Sequence, residues 1–406
     1  LLELRHQSVF VTEGLIGLDA LSELASIDRP DLRFPRHHPY LAECLSSTKS
    51  IFETLDAEDV LLHHPFDSFL PVQQFVDSAA TDPDVLGIKM TLYRVGSKSP
   101  IVESLLAAAE AGKQVAVTVE VRARFDESNN LGWARALERA GVHVSYGFPD
   151  LKTHCKLCMV VRKHPDGTIT YTHIGTGNYN PFTAQLYTDL GLITADPEIA
   201  LDAADLFNYL TGYSKQRTYR KLLVAPHTLR EGIIDAIERE IKHPNGRIIF
   251  KMNSLVDPEI IAHLYEASEA GVKVDLIIRG ISSLRPQHDA LSKEIHVRSI
   301  VGRFLEHSRI LYFGNNGDPR VYIGSSDAMR RNLDRRIEVL VPIESDKLCA
   351  HIHDHILSAY LRDTANSWLE QDVGTYKRLH STRFSAQEFL AKHPSTSMLL
   401  PCKEEN

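Results

Sequence analysis

Two short runs carry the chemistry open to this chain: His154-Cys155-Lys156 and His307-Ser308-Arg309. Each opens a strand-like stretch. Alternation along a strand sets the histidine and the cation two residues later on one face, with the middle residue on the other. An imidazole with a cation at that spacing suits phosphate: the ring nitrogen attacks phosphorus, and the cation neutralises the equatorial oxygens. One such run is most often a packing strand; two at equivalent positions of a repeat are better read as a site. A carboxylate would fix the tautomer of a reacting ring, and Asp189 and Glu338 are candidates for it, each equally readable as an ordinary salt-bridge acid. His173 is the runner-up nucleophile. The Gly175-Thr176-Gly177-Asn178 turn after it is suited to offering backbone N–H groups to an anion.

Cations able to bind phosphate oxygens include Arg94, Arg122, Arg124, Lys152, Lys156, Arg279, Arg303 and Arg309, together with the arginines of the 330–336 run. Arg94 and Arg279 follow apolar strand runs, which marks them out; the 330–336 run reads equally well as solvated surface. Cys155 and Cys158 spell Cys-x-x-Cys, but on a strand they face opposite ways, so both are expected to pack rather than bind metal or form a disulfide. Trp133 and Trp368 lie in helix-like runs and are expected in the core. Tyr187, read from its residue type alone, is expected in the core as well.

These residues must be positioned by alternating strands and helices. VLGIKMTLY (85–93) and QVAVTVEVRA (114–123) read as strands; SPIVESLLAAAEAG (99–112) and NNLGWARALERAG (129–141) read as helices stopped by glycine. The pattern then returns in the same order. LGIKMTLY matches RIIFKMNSL (247–255), and the helix and strand ending at Arg122 match 259–280. GVHVSYGFPDLKTHCKL matches EIHVRSIVGRFLEHSRI (294–310), pairing His154 with His307. THIGTGNYNPFTAQLYTDLGLI matches VYIGSSDAMRRNLDRRIEVLV (321–341), pairing Gly175 with Gly324 and Asp189 with Glu338. The period is too long for a solenoid. The chain therefore holds two copies of one α/β domain with a largely parallel sheet. Residues 201–225 link them, 346–375 form a C-terminal helix, and the tail from Lys392 is loose.

The length of 406 residues suits two domains, and 45 Lys+Arg against 53 Asp+Glu give a net charge of −8. That disfavours a basic nucleic-acid-coating protein, while leaving room for a cationic pocket within an acidic shell. No apolar run of membrane-spanning length occurs. The five cysteines form no regular framework, which fits a reducing cytoplasm. The opening LLELRHQSVF has neither a Met start nor a signal-peptide layout, so a missing upstream part is expected.

The His-x-Lys pattern resembles the phospholipase D superfamily. It departs from it in having Val161 five residues after Lys156, where no Asp follows in register, and Arg309 in place of the second lysine. A phosphodiesterase or nuclease of that superfamily, and a truncated polyanion-binding module, are the alternative readings. TLYRVG (91–96), ARFDE (123–127), HCKL (154–157), HIGTGNYN (173–180), LYTD (186–189), IIRG (277–280), IVGRFLEHSR (300–309) and DRRIEV (334–339) together resemble polyphosphate kinase of the long bacterial type, in its C-terminal catalytic half. The resemblance implies two pseudo-duplicated phospholipase D-like domains, each a mostly parallel mixed sheet flanked by helices. They would span 59–215 and 216–375, after a 1–58 lead-in and before a 376–406 tail. It implies reversible transfer of the ATP γ-phosphoryl group to polyphosphate, with His154 as the phosphohistidine and His307 at the nucleotide site. It further implies that Tyr187 and Arg279 contact the nucleotide, while Lys156, Arg309 and Arg303 bind phosphate. Arg94 and Arg124 fall beside Mg²⁺, where arginine clamps phosphate and cannot ligate the metal. ATP, ADP and polyphosphate are the implied partners. No nucleic acid and no integral membrane span are expected. A homo-oligomer is implied for the full-length protein, in the cytoplasm or peripherally at the inner face of the membrane.

Overall fold

The computed structural model describes residues 27–46 and 51–400 apart from 124, 125, 216, 288, 289, 373, 380 and 382, together with Glu13, Gly14, Gly17, Leu21, Glu23 and Leu24. Arg124 thus lies outside the described residues. Residues 1–38 form one unit, in which Pro30–Leu32 is a single 3₁₀ turn and Arg29 pairs with Asp31 at 2.6 Å. Residues 39–406 form the other.

Within that second unit the repeat is visible as two sheets. The first runs β1 (Val60–His64), β8 (Tyr187–Thr194), β7 (Gly167–Gly175), β6 (Lys156–His164), β2 (Val85–Leu92), β3 (Gln114–Val119) and β4 (His143–Ser145). The second runs β18 (Thr375–Arg378), β17 (Ser367–Asp372), β12 (Ile295–Ile300), β11 (Lys273–Ile278), β10 (Arg247–Met252), β14 (Ile310–Phe313), β15 (Arg320–Gly324), β16 (Arg336–Pro342) and β5 (Lys152–Thr153). Both sheets are mixed and flanked by helices. The parallel share is smaller than the alternation suggested: within each half, only β2–β3–β4 and β10–β11–β12 run parallel. The cause is connection length. β6 and β7 are joined by Pro165 and Asp166 alone, and so short a turn permits only an antiparallel hairpin.

Local chemistry repeats with the topology. Helix Pro100–Glu110 is capped by the Ser99 hydroxyl, which accepts from Val102 N, and it stops ahead of Gly112 at φ +81°. Helix Pro258–Glu269 is capped by the Asp257 carboxylate, which accepts from Ile260 N, and it stops ahead of Gly271 at φ +87°. Both use an N-cap, a Pro at the first position and a left-handed glycine as terminator. The helices bury apolar faces on the sheets, and one continuous core joins the halves. Ile88, Met90, Leu157 and Leu192 belong to the same cluster as Ile249, Ile323, Ile352 and Tyr360. Each such side chain contributes roughly 1.5–3 kcal/mol by leaving water. A second cluster, with Phe250, Leu264 and Val274, lies under helices Leu229–Ile241 and Pro258–Glu269.

The C-terminal region differs from the sequence reading. The helical stretch from Asp346 ends at Arg362, and a β17–β18 hairpin follows, so Trp368 stands on a strand. The tail to residue 400 is not loose: helices Ala386–Lys392 and Ser395–Leu399 bury Leu390 and Leu399 in the main core. Apolar positions at i and i+4 were too few there to show a helix against the polar residues around them. Trp133 lies on a helix as expected, partly buried, and donates to the Gly96 carbonyl. Cys155 and Cys158 are free and buried. No described helix is long and apolar enough to cross a membrane.

Two very short strands leave their own half. β5 pairs parallel with β16, and β13 (Leu305–Glu306) pairs parallel with β8. Each ends immediately before a reactive-run histidine. The β15–β16 ladder that supports one of these exchanges needs Gly324, because a Cβ there would overlap the Val339 carbonyl oxygen. Gly324→Ala is expected to destabilise the chain by about 1–3 kcal/mol, read as a lower denaturation midpoint at unchanged slope.

Candidate phosphoryl-transfer site

The exchanged strands place the histidines. Arg336 pairs with Lys152 and Ile337 with Thr153; one step further brings His154 against Glu338. Leu305 pairs with Tyr187 and Glu306 with Thr188; one step further brings His307 against Asp189. The register is the same in both. His154 Nδ1 lies 2.9 Å from Glu338 Oε2, and His307 Nδ1 lies 2.8 Å from Asp189 Oδ1. Each imidazole is therefore oriented by a carboxylate of the other half, a crossing that the repeat alignment did not reveal. His154 is further held by its own N–H and that of Cys155, both donating to the Ile337 carbonyl at 2.9 and 3.0 Å.

The turns after β7 and β15 have one task in both halves. The Thr176 hydroxyl donates to Asp189 at 2.6 Å and accepts from Leu190 N at 3.0 Å. The Ser325 hydroxyl donates to Glu338 and accepts from Val339 N at 3.1 Å. Asn332 adds a 2.7 Å bond to Glu338. In the Gly175–Asn178 turn the Thr176 hydroxyl holds Asp189, and the Thr176 N–H is taken by the Leu190 carbonyl. A Cβ on Gly177 would overlap the Asp189 carboxylate. His173 is buried against Gly175 and Gly191, with Nδ1 on the Tyr179 hydroxyl at 2.7 Å; burial takes its pKa down to about 3.

Both reactive-run rings are kept neutral. Burial first, then the Lys156, Arg336 and Arg309 cations, hold His154 well below the ordinary imidazole value. Burial and Arg309 lower His307, against the opposing pull of Asp189. Lys156 and Arg309 act on both rings, so the two imidazoles share one cationic neighbourhood. Burial raises Asp189, but His307, Thr176 and Arg309 outweigh it and keep the carboxylate ionised. For Glu338 burial prevails and its value is raised. With Nδ1–H donated to a carboxylate, the lone pair resides on Nε2.

The cations are not equivalent. Arg309 is salt-bridged to Asp327 at 3.2 Å and places Nη1 3.1 Å from His307 Nε2. Lys156 donates to the His154 carbonyl and has Asn178, not a carboxylate, at the position matching Asp327. Burial lowers Lys156 to about 7. Tyr93 lies edge-on to His154 at 5.0 Å, with Arg94, Lys152 and Lys156 at 5.3, 5.5 and 5.2 Å from its ring. Arg94 itself has a left-handed backbone, φ +53°. Around His307, the Tyr187 ring is 5.3 Å away, and Arg279 bonds Asn253 Oδ1 at 2.9 and 2.6 Å. Asn253 in turn donates to Asp327. Arg303 lies over the Phe304 ring at 5.0 Å. Arg122 ties down the Phe148, Pro149 and Leu151 carbonyls, and so serves the loop.

Asp327, Asn253, Ser325, Asn332 and Tyr93 escaped the sequence reading. For Thr176 and Ser325 a signal existed: both follow the paired glycines of the repeat. For Asn253 and Tyr93 none did, since each reads as a strand-end residue.

The profile of polyphosphate kinase C-terminal domain 1 matches residues 50–216, and that of C-terminal domain 2 matches residues 222–388. This chain belongs to the polyphosphate kinase family. It is 49% identical over 395 residues to the polyphosphate kinase of Parasynechococcus marenigrum, which covers 92% of this chain and 55% of that one. It is 52% identical over 371 residues to polyphosphate kinase 1 of Chlorobaculum tepidum, covering 90% and 53%. The crystal structure of polyphosphate kinase from Porphyromonas gingivalis superimposes with a TM-score of 0.85 at 36% identity, covering 92% of this chain and 58% of that one. The chain thus spans about half the length of the polyphosphate kinases it matches. Phosphatidylserine synthase of Haemophilus influenzae, at TM-score 0.54 and 10% identity over 86% of this chain and 96% of that one, shares the fold.

Glu338→Gln and Asp189→Asn keep shape but remove the charge that selects the tautomer. Each is expected to slow any reaction at its histidine by on the order of a hundredfold or more. Ring ¹⁵N NMR should show the Nδ1 signal of His154 changing only in the first variant and that of His307 only in the second.

Proposed function

We propose that this chain carries the phosphoryl-transfer chemistry of its family: reversible movement of the ATP γ-phosphoryl group to the end of polyphosphate through a phosphohistidine on His154. The halves at work are 59–215 and 216–375, with 1–58 leading in and 376–406 following. The observation that carries this reading is the Glu338–His154 pair. It leaves Nε2 as a neutral nucleophile among Lys156, Arg336 and Arg309.

His154 Nε2 bonds to the γ-phosphorus, the bond from phosphorus to the ADP oxygen breaks, and ADP departs with the electron pair. The terminal oxygen of polyphosphate then attacks the same phosphorus and frees Nε2. Lys156 and Arg309 offset charge on the transferring group, as such a transition state requires positioning and electrostatics above all. His307, with Tyr187 and Arg279 around it, takes the nucleotide side and holds or moves a proton at the leaving oxygen. The asymmetry between the rings supports this division: Arg309 stands against Nε2 of His307, whereas Lys156 binds the backbone beside His154.

Mg²⁺ enters as the complex with the nucleotide. Among the described residues no group of three or more His, Cys, Asp or Glu side chains could hold a metal. Glu338, Asp189 and Asp327 are each engaged by protein donors. Arg94 has no lone pair to give, so it clamps phosphate beside the metal, as Arg124 does in the same reading. Phosphate oxygens and water would supply the ligands of a Mg²⁺ carried in by the nucleotide. The family resemblance supports a homo-oligomer for the full-length protein, in the cytoplasm or peripherally at the inner face of the membrane.

The test is labelling with γ-³²P ATP and Mg²⁺. An acid-labile, base-stable label on the chain is expected, absent from His154→Ala, and transfer in both directions should vanish with it. His307→Ala should reduce transfer strongly and leave the fold intact. Near-normal turnover in the His154 variant, or cleavage of DNA or lipid without ATP, would sink the assignment. Because His154 is held below its ordinary value, the ring stays neutral as pH falls through 6.5. The acid limb of single-turnover labelling should therefore lie below pH 6.5 and move upward in Lys156→Met, which removes a cation that lowers the ring.

A further inference from the structure

The two exchanged straps are anchored differently. β5 is held by the first half itself: Thr153 N donates to Glu120 Oε2 at 2.8 Å, and Arg122 fastens the loop ahead of it. β13 is held from the far end of the chain. Gln387, on helix Ala386–Lys392, is 3% exposed, and its amide brackets the strap. Phe304 N donates to Gln387 Oε1 at 3.0 Å. Gln387 Nε2 donates to the Phe304 carbonyl at 2.9 Å and to Glu306 Oε1 at 2.6 Å. Gly302 leaves the room for it: a Cβ there would come within 2.5 Å of Gln387 Oε1.

The contact continues to the site. Glu306 Oε2 accepts from the Thr188 hydroxyl at 2.9 Å and pairs with the buried Lys251 at 2.8 Å. The same Thr188 oxygen accepts from His307 N at 3.2 Å. Helix Ala386–Lys392 is itself docked, with Ala386 N on Asp363 Oδ2 at 2.7 Å; Thr396, beyond it, donates to Asp67 at 2.6 Å from its hydroxyl.

We propose that the 386–396 segment is a positioning element of the His307 site, with Gln387 its working residue, so that docking of the chain's C-terminal helices sets the geometry of the His307–Asp189 pair. A strap of two residues has too few ladder bonds to hold its register unaided. Three side-chain hydrogen bonds in a buried setting supply what the ladder lacks. The kinetic part of the test rests on the proposed function; the structural part does not.

Gln387→Met keeps the volume and strips all three bonds. We expect kcat to fall on the order of tenfold or more, as a small misplacement of a reacting group does, with KM for ATP moving less. In ¹⁵N NMR the His307 ring signals should shift while those of His154 stay in place. In Gln387→Glu the carboxylate faces Glu306, so activity relative to wild type should recover on acidification as the new side chain becomes a donor again. Hydrogen exchange of the unaltered chain gives a reading free of any folding defect: the amides of Phe304, Leu305 and His307 should open together with helix Ala386–Lys392. Unmoved His307 signals with wild-type kcat in Gln387→Met would overturn the proposal. So would shifts shared equally by both rings, or continued protection of the strap while the helix exchanges. A wild-type chain without ATP–polyphosphate transfer would remove the kinetic reading alone, and the ring signals and exchange would still decide the inference.

Discussion

An imidazole attacks phosphorus only while one ring nitrogen keeps its lone pair, and an acceptor such as a carboxylate on the other nitrogen fixes which one does. Here that carboxylate is borrowed. Glu338 of the second half serves His154 of the first, and Asp189 of the first serves His307 of the second. Because each donor and acceptor sit on different repeats, neither half alone contains a complete pair. The shared core of Ile88, Leu157, Ile249 and Ile352 therefore has a chemical consequence as well as a thermodynamic one.

The exchange also explains residues that contact no reacting group. Gly177 and Gly324 permit close approach, one to a carboxylate and one to a carbonyl. Thr176 and Ser325 spend their hydroxyls on the two acids. The two halves present matched groups, and differences at a few equivalent positions set them apart. Arg309 with Asp327 makes a tethered cation beside His307. Lys156 opposite Asn178 remains a cation whose charge is closer to balance, and Tyr93 gathers further cations beside His154 where the second half has Leu255.

Lys156 and Arg309 lie close enough to act on both imidazoles in a buried setting, and Arg336 adds to them at His154. The same burial that strengthens those charges also lowers the proton affinity of both rings.

Much of this was legible in the sequence. The repeat, the strands 85–92 and 114–119, the capped helices and the pair His154 and His307 follow from periodicity, cap residues and matched spacing, which are local properties of the chain. The acids Asp189 and Glu338 were visible as candidates, but not which ring each would serve. That choice depends on strand register between segments 118 and 184 residues apart, for which no local signal exists. The C-terminal helices and the role of Gln387 were hidden for the same reason: a polar residue in a short polar stretch declares its partner only once the chain has folded around it. The order of types along the chain thus determined which groups could react, while tertiary contact alone decided the crossing that orients them, because hydrogen bonds are made by proximity in space.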